Sequence, residues 1–245
     1  MLPLLIALQF LTSLPIHLPT MPTPQQQGRS LLHYPLVGLL LGALLWLAAI
    51  LLAGAPPLLQ AALLLTLWVA LTGALHLDGL ADSADAWLGG FGDRDRTLAI
   101  MKDPRSGPVA VVVLVLLLLL KFAALLALLQ AQQYVVLLLV PVLGRAALLA
   151  LFLTTAYVRP DGLGQALAVH LPRPWARSVL AAVALGCLPF GMAGLVALLM
   201  AAATFLVARR AMLRRLGGTS GDTAGALLEL VECAVLVGLA LQLGR

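Results

Sequence analysis

Five stretches of this chain run for about twenty residues with few charges, the length needed to cross the roughly 30 Å hydrocarbon core of a bilayer as a helix. They are Pro35 to about Ala53, Pro57 to Leu75, Pro108 to Leu129, Tyr134 to Thr154 and Thr223 to Leu243. A sixth apolar run, Val179 to Val207, is too long for one comfortable span and short for two. Hydrocarbon cannot satisfy open backbone groups, so runs of this kind must fold as helices. Composition agrees: of 245 residues 62% are hydrophobic and 10% charged, where a soluble domain carries about 25% charged, and mean hydropathy is +1.06. The expected fold is all-α, a polytopic integral membrane protein forming one domain over residues 1–245.

The charges order the topology. Of the 15 Lys and Arg, 12 fall in four connections: residues 15–34, 76–107, 155–178 and 208–222. The connections AGAPP near 53 and LQAQQ near 129 carry none. The positive-inside rule makes the four charged connections cytoplasmic. Residues 178 and 208 then share a side, so 179–207 must turn back, and GCLPFGMAG at 186–194 offers the glycines and proline for the turn. About seven spans result. The competing arrangement is one long tilted helix that would leave 208–222 outside.

The first residues, MLPLLIALQFLTSLP, lack the basic region and small-residue cleavage site of a signal peptide. They read as a short interfacial or re-entrant helix. Cys187 and Cys233 lie inside apolar runs and read as packing residues, with no disulfide framework. Lys121 and Arg145 fall within spans, where each needs protein, water or a partner acid.

The carboxylates carry the functional argument. The stretch HLDGLADSADAWLGGFGDRDRTLAIMKDPRSG, residues 76–107, holds six of the ten, and the rest are Asp161, Asp222, Glu229 and Glu232. Asp78, Asp82 and Asp85 recur at i, i+4 and i+7, which on a helix places them within about 60° of one another. Three adjacent anions repel, and a divalent cation relieves the repulsion. Oxygen ligands suit Mg²⁺ or Mn²⁺, with substrate phosphates completing the shell. His76 lies on another face, where it can orient a carboxylate, act as a base, or merely sit at the interface. Glycines with Arg94, Arg96, Lys102 and Arg105 suit a diphosphate. Asp222 and Glu229, seven residues apart, share a face of the last helix, and the Gly-rich GGTSGD before it, with Gly221, can present amides and hydroxyls to an anion.

HLDGLADSAD, then IMKDPRSG, and later GGTSGDTAGALLE resemble the signatures of the cobalamin synthase family, the adenosylcobinamide-GDP ribazoletransferases. FLTSLP at 10, YPLVGLLLG at 34 and RPDGLG at 159 extend the resemblance over nearly the whole chain. It implies an Mg²⁺-dependent transfer of a substituted phosphate group. A ribose hydroxyl of α-ribazole, or of its 5′-phosphate, attacks the phosphorus next to the cobinamide of adenosylcobinamide-GDP, and GMP leaves. On that reading Asp78, Asp82, Asp85, Asp222 and Glu229 are expected to hold the metal. Lys102, Arg105, Arg94, Arg96 and Gly221 are expected to bind substrate, and Asp85, Asp103 or His76 to act as base. The active-site loops, 76–107 and 208–222, are expected on the cytoplasmic face of the inner membrane. A homo-oligomer or an association with other cobalamin-assembly enzymes stays open, and no nucleic acid is expected. Two alternatives share parts of this logic. A CDP-alcohol phosphotransferase would need DGxxAR, where this chain has DGLADS, and a cation-coupled transporter would explain the intramembrane charges but not the crowding of acids in one loop.

Overall fold

The computed structural model describes residues 2–159 and 162–244, with Leu163 described by its backbone alone, so Asp161 lies outside the described residues. The described chain is helical: α1 Leu2–Leu11, α2 Pro24–Ser30, α3 Tyr34–Leu51, α4 Pro57–Thr72, α5 Leu75–Gly89, α6 Arg94–Ile100, α7 Pro108–Gln130, α8 Leu139–Thr154, α9 Leu163–Val169, α10 Arg173–Gly186, α11 Gly191–Leu216 and α12 Gly221–Gln242. Prolines open α3, α4, α7 and α10 in their first turns, where the missing N–H would be unpaired anyway. By length and composition five helical stretches reach across a bilayer, and the bent pair α4–α5 is a sixth candidate.

The stretch from Arg173 to Leu216 folds back, as the charge pattern requires. Arg173 at the start of α10 donates to the Leu153 carbonyl, and Arg209 near the end of α11 donates to the Thr154 carbonyl. Both ends therefore meet the C-terminal end of α8. The reversal falls within the expected GCLPFGMAG, as a 3₁₀ turn over Leu188–Phe190 followed by Gly191 at φ 57°. The helices α3, α4, α7, α8, α10, α11 and α12 are the counterparts of the seven expected spans. Of these, α4 and α10, at 16 and 14 residues, are shorter than a straight crossing needs.

α5 behaves differently. Gly73 at φ 61° and Ala74 at φ 58° turn the chain, and α5 leaves α4 at 88°. Ser13, in the early FLTSLP, fixes this corner by donating its N–H to Leu71 O at 2.8 Å and its hydroxyl to Ala70 O at 2.6 Å. Both carbonyls lie in the last turn of α4, where helix carbonyls run short of partners, and Ala70 O accepts the Gly73 N–H at 3.2 Å besides. α5 then crosses one end of the bundle, passing the start of α12, the start of α7 and the end of α11. It is not a span but a beam laid over the charged ends of the spans.

α12 is the central helix, packed along α5, α7, α8 and α11. Its polar residues inside the bundle are neutralised in place. Lys121 of α7 donates to Glu229 at 2.6 Å and to Glu232 at 2.9 Å, and lies 4.7 Å above the Trp68 ring of α4. Glu232 also bonds Arg145 of α8, which is fully buried. A side chain on Gly144 would collide with Glu232, so the glycine beside Arg145 makes room for its partner. Two cations and two anions thus close into a neutral cluster that ties four helices together in a medium where no single member could remain alone.

Removing one partner of such a cluster strands a buried charge, at a cost of about 3–5 kcal/mol. Glu232→Gln strands Arg145 and is expected to lower the thermal unfolding midpoint in detergent by roughly ten degrees, at about 2–4 °C per kcal/mol for a chain of this size. Glu229→Gln leaves Lys121 paired with Glu232 and costs less; an equal loss from both variants would contradict this division of labour.

Candidate active site

α5 and α12 approach until only glycine fits between them. A Cβ on Gly79 would stand 2.8 Å from the Asp222 carbonyl oxygen, and one on Gly225 would stand 3.3 Å from the His76 backbone. Close approach through small residues is how helices pack where hydrophobicity gives no drive. The result is that the acidic face of α5 meets the first turn of α12.

A third segment completes the site. Val158 N–H donates to Thr219 O and Thr219 N–H to Ala156 O, both at 2.9 Å, a short parallel bridge that joins the RPDGLG region to GGTSGD. It sets Arg159 Nη1 3.0 Å from Asp222 Oδ2, as an ion pair rather than an aligned hydrogen bond. Arg159 Nε and Nη2 are buried and have no partner among the described residues. Gly162 and Gly164 pack against the Tyr157 ring with no room for a side chain. Between these segments lies a cavity of about 400 Å³, bordered by His76, Asp78, Arg159, Gly221 and Asp222, and by the ring pairs Phe10–Tyr34 and Phe152–Tyr157.

The spacing of Asp78, Asp82 and Asp85 on α5 yields the shared face expected, but not a shared task. Asp78 is exposed at the cavity. Asp82 is half-buried, and desolvation, followed by repulsion from Asp78 and Asp222, pushes its carboxyl up to about 6. Asp78 and Asp222, from two helices, are thus close enough to Asp82 to disfavour its ionisation. Asp85 faces away to cap α7: its oxygens accept from Gly107 N–H and from Ala110 N–H at 3.0 Å. Asp85, expected as base or metal ligand, thus has both oxygens engaged by amides of a helix start and does not border the cavity.

Glu229, expected as a metal ligand, lies two turns down α12 in the neutral cluster with Lys121, away from the cavity. Asp103, expected as a base, pairs with Arg105 at 2.9 and 2.7 Å on an exposed loop, which holds its carboxyl down at about 2. Neither residue borders the cavity, nor does Lys102, which is exposed on the same loop. Arg94 donates to Leu216 O at 2.9 Å, closing the end of α11, and Arg96 lies over the Phe91 ring at 5.0 Å. Both therefore serve the packing of the loop rather than the cavity. The Ser220 and Thr223 side chains form a capping box with each other's backbone amides, so the hydroxyl of Ser220 is used to start α12; of GGTSGD, Gly221 and Asp222 border the cavity.

His76 stays in the site. It is buried at the cavity wall, neither ring nitrogen has a partner, and burial, then the nearby Arg145 and Lys121, push it well below its ordinary range. It is a neutral imidazole that can accept one hydrogen bond and donate another. Sequence reasoning missed Arg159 and Tyr157. Arg159 counted only as a loop charge, although RPDGLG, with two glycines following a cation, was the signal available.

Among the described residues no three His, Cys, Asp or Glu side chains converge closely enough to enclose a metal ion. The donor set still suits a hard divalent cation of the Mg²⁺ kind. Asp222 Oδ2 is buried without a hydrogen bond beside two further carboxylates, and Mg²⁺ commonly takes one or two carboxylates and fills its shell with phosphate and water.

Comparison with known proteins bears on the whole chain. The family model described as cobalamin-5-phosphate synthase matches residues 3–240. The adenosylcobinamide-GDP ribazoletransferase of Stutzerimonas stutzeri (strain A1501) is 81% identical over 245 residues, covering 100% of both chains. Those of Pseudomonas fluorescens (strain Pf0-1) and Ectopseudomonas mendocina (strain ymp) are 71% and 65% identical, covering 98% and 97% of this chain and 100% and 98% of theirs. No solved structure matches. With the match running almost from end to end, this chain belongs to the cobalamin-5-phosphate synthase family.

Proposed function

We propose that this protein is an adenosylcobinamide-GDP ribazoletransferase: it joins adenosylcobinamide-GDP to α-ribazole, or to its 5′-phosphate, and releases GMP, the final step of nucleotide-loop assembly. The observation that carries the reading is the cavity bordered by Asp78, Asp222, Arg159 and His76, with Asp82 half-buried beside the two aspartates and with nitrogens of Arg159 and His76 left without a partner among the described residues. A diphosphate donor needs a cation, a positive side chain and an acceptor for the attacking hydroxyl's proton, and phosphoryl transfer depends largely on such positioning.

Asp78, Asp82 and Asp222 would hold Mg²⁺, which when bound neutralises charge on the diphosphate oxygens. Arg159 then exchanges Asp222 for a phosphate oxygen, and its free Nε and Nη2 allow a two-pronged contact. His76 accepts the ribose hydroxyl's hydrogen bond and orients it toward phosphorus; of the three groups expected as base, it is the one at the cavity wall. The ring pairs Phe10–Tyr34 and Phe152–Tyr157 offer flat faces to the bicyclic base of α-ribazole. At about 400 Å³ the cavity has room for the acceptor nucleoside and the diphosphate, so the corrin remains at the mouth.

The membrane is the bacterial inner membrane and the site opens to the cytoplasm. Supporting this are the arginines of the 76–107, 155–178 and 208–222 connections, which crowd the same end of the bundle as the cavity, on the side the positive-inside rule assigns to the cytoplasm.

Asp78→Asn and Asp82→Asn are each expected to lower GMP release from adenosylcobinamide-GDP by about a hundredfold or more, the scale of losing a charge-stabilising group, with unchanged yield and unfolding midpoint. Exposed Asp95→Asn on α6 should be neutral, and full activity in both site variants would refute the assignment. Chelation should stop turnover and Mg²⁺ restore it. Protons compete with the cation for a carboxylate raised to about 6, so the apparent Mg²⁺ affinity should be flat above that pH and weaken by about tenfold per unit below it. An affinity independent of pH between 5 and 7 would remove Asp82 from the metal site. Cysteines placed at Lys102 and at Arg214 should both react with a membrane-impermeant thiol reagent in inverted vesicles and be protected in intact cells; opposite labelling would overturn the orientation.

A further inference from the structure

The back of α5 borders a second space. Opposite the acidic face, Leu80, Ser83, Ala84 and Trp87 form one wall of an apolar groove of about 780 Å³, closed by α11 and α12 and by Leu120 of α7. At its rim Leu120, Val207 and Leu230 are exposed, so the groove opens sideways on the surface that faces the bilayer core. The small side chains of Ala203, Ala211 and Ala234 give it depth.

What occupies it is argued from charge. Along α11 the groove takes residues 200, 203, 204, 207, 208, 211 and 212, a single helical face. Continued by about one turn, that face carries Arg214 and Arg215, whereas Arg209 lies on the opposite face, bonded to Thr154 and Thr155. Arg215 lies over the Trp87 ring at 5.5 Å and donates to the Trp87 carbonyl. Arg214 is exposed and makes no bond among the described residues. The groove is therefore hydrocarbon-lined along its length and cationic at its end, on the side where the chain leaves the membrane.

We propose that this groove is a binding site for one anionic phospholipid, an acyl chain lying between α11 and α12 and the phosphate at Arg214 and Arg215. A bound lipid braces α5 from behind while the acidic face works in front. The second chain of a dimer is a poorer occupant, because a membrane-spanning helix entering the groove would bring the two arginines no free acid: Glu229 and Glu232, the carboxylates deep inside the described spans, are already paired in the neutral cluster.

The test is native mass spectrometry of the intact protein released from nanodiscs of phosphatidylethanolamine with a minor fraction of phosphatidylglycerol. The wild-type chain should retain one phosphatidylglycerol. Arg214→Gln should lower the preference for phosphatidylglycerol over phosphatidylethanolamine by about fivefold, the share of one basic side chain near an anionic surface. Ala203→Trp, at an exposed wall position, should abolish retention of either lipid while the unfolding midpoint in detergent stays within a few degrees. No retained lipid, retention insensitive to Ala203→Trp, or a dimer that Ala203→Trp dissociates would overturn the proposal. These readouts do not use turnover, so they stand or fall apart from the transferase assignment.

Discussion

The contact on which the site depends is the glycine crossing of α5 and α12. Gly79 and Gly225 let two backbones approach where any side chain would intrude. Because the side chains next to these glycines are His76, Asp78 and Asp222, the same crossing that packs the helices also collects the polar groups. A membrane protein has little hydrophobic drive to join its helices. Here close backbone approach supplies the attraction, and the acids at the crossing repel. The repulsion is tolerable because α5 is fixed at other points: Ser13 holds the corner before it, Asp85 fastens it to α7, and Arg215 holds Trp87 near its far end.

The acids divide into two populations that sequence alone does not separate. In one, Glu229 and Glu232 balance Lys121 and Arg145 deep in the bundle. In the other, Asp78 and Asp222 face a cavity, with Asp82 beside them, and among the described residues Arg159 is the cation paired there. The first set is saturated by fixed cations and has no capacity left for a ligand. The second is left with excess negative charge at the cavity.

Much of this was legible because membranes impose a strong grammar. Runs of apolar residues gave the spans, the distribution of Lys and Arg gave the shared end, and GCLPFGMAG gave the reversal between α10 and α11. The three-aspartate spacing correctly placed Asp78, Asp82 and Asp85 on one face. What helical spacing could not tell is what stands opposite each carboxylate. Asp85 meets the open amides of α7 and becomes a cap, while Asp82, one turn earlier, meets Asp222. Glu229 shares a face with Asp222, yet depth decides its partner: two turns further in, it meets Lys121. Arg159 escaped notice for the same reason. Its role comes from the bridge between Val158 and Thr219, a pairing across some sixty residues that no local pattern encodes.

α5 is accordingly a two-sided element, and its sequence is constrained on both sides for different physical reasons. Position 78 carries charge at the cavity and position 82 charge beside it, position 79 needs glycine at the crossing, and positions 80, 83, 84 and 87 line the groove. A helix laid across the end of a bundle, at 88° to the span before it, can satisfy both demands because one face looks to the aqueous cavity and the other to hydrocarbon. A span buried on all sides could not present carboxylates to a water-borne diphosphate, and a surface helix free of the bundle could not hold them against Asp222. The bend at Gly73 and Ala74 is therefore what converts a membrane helix pair into a site for a soluble, highly charged substrate.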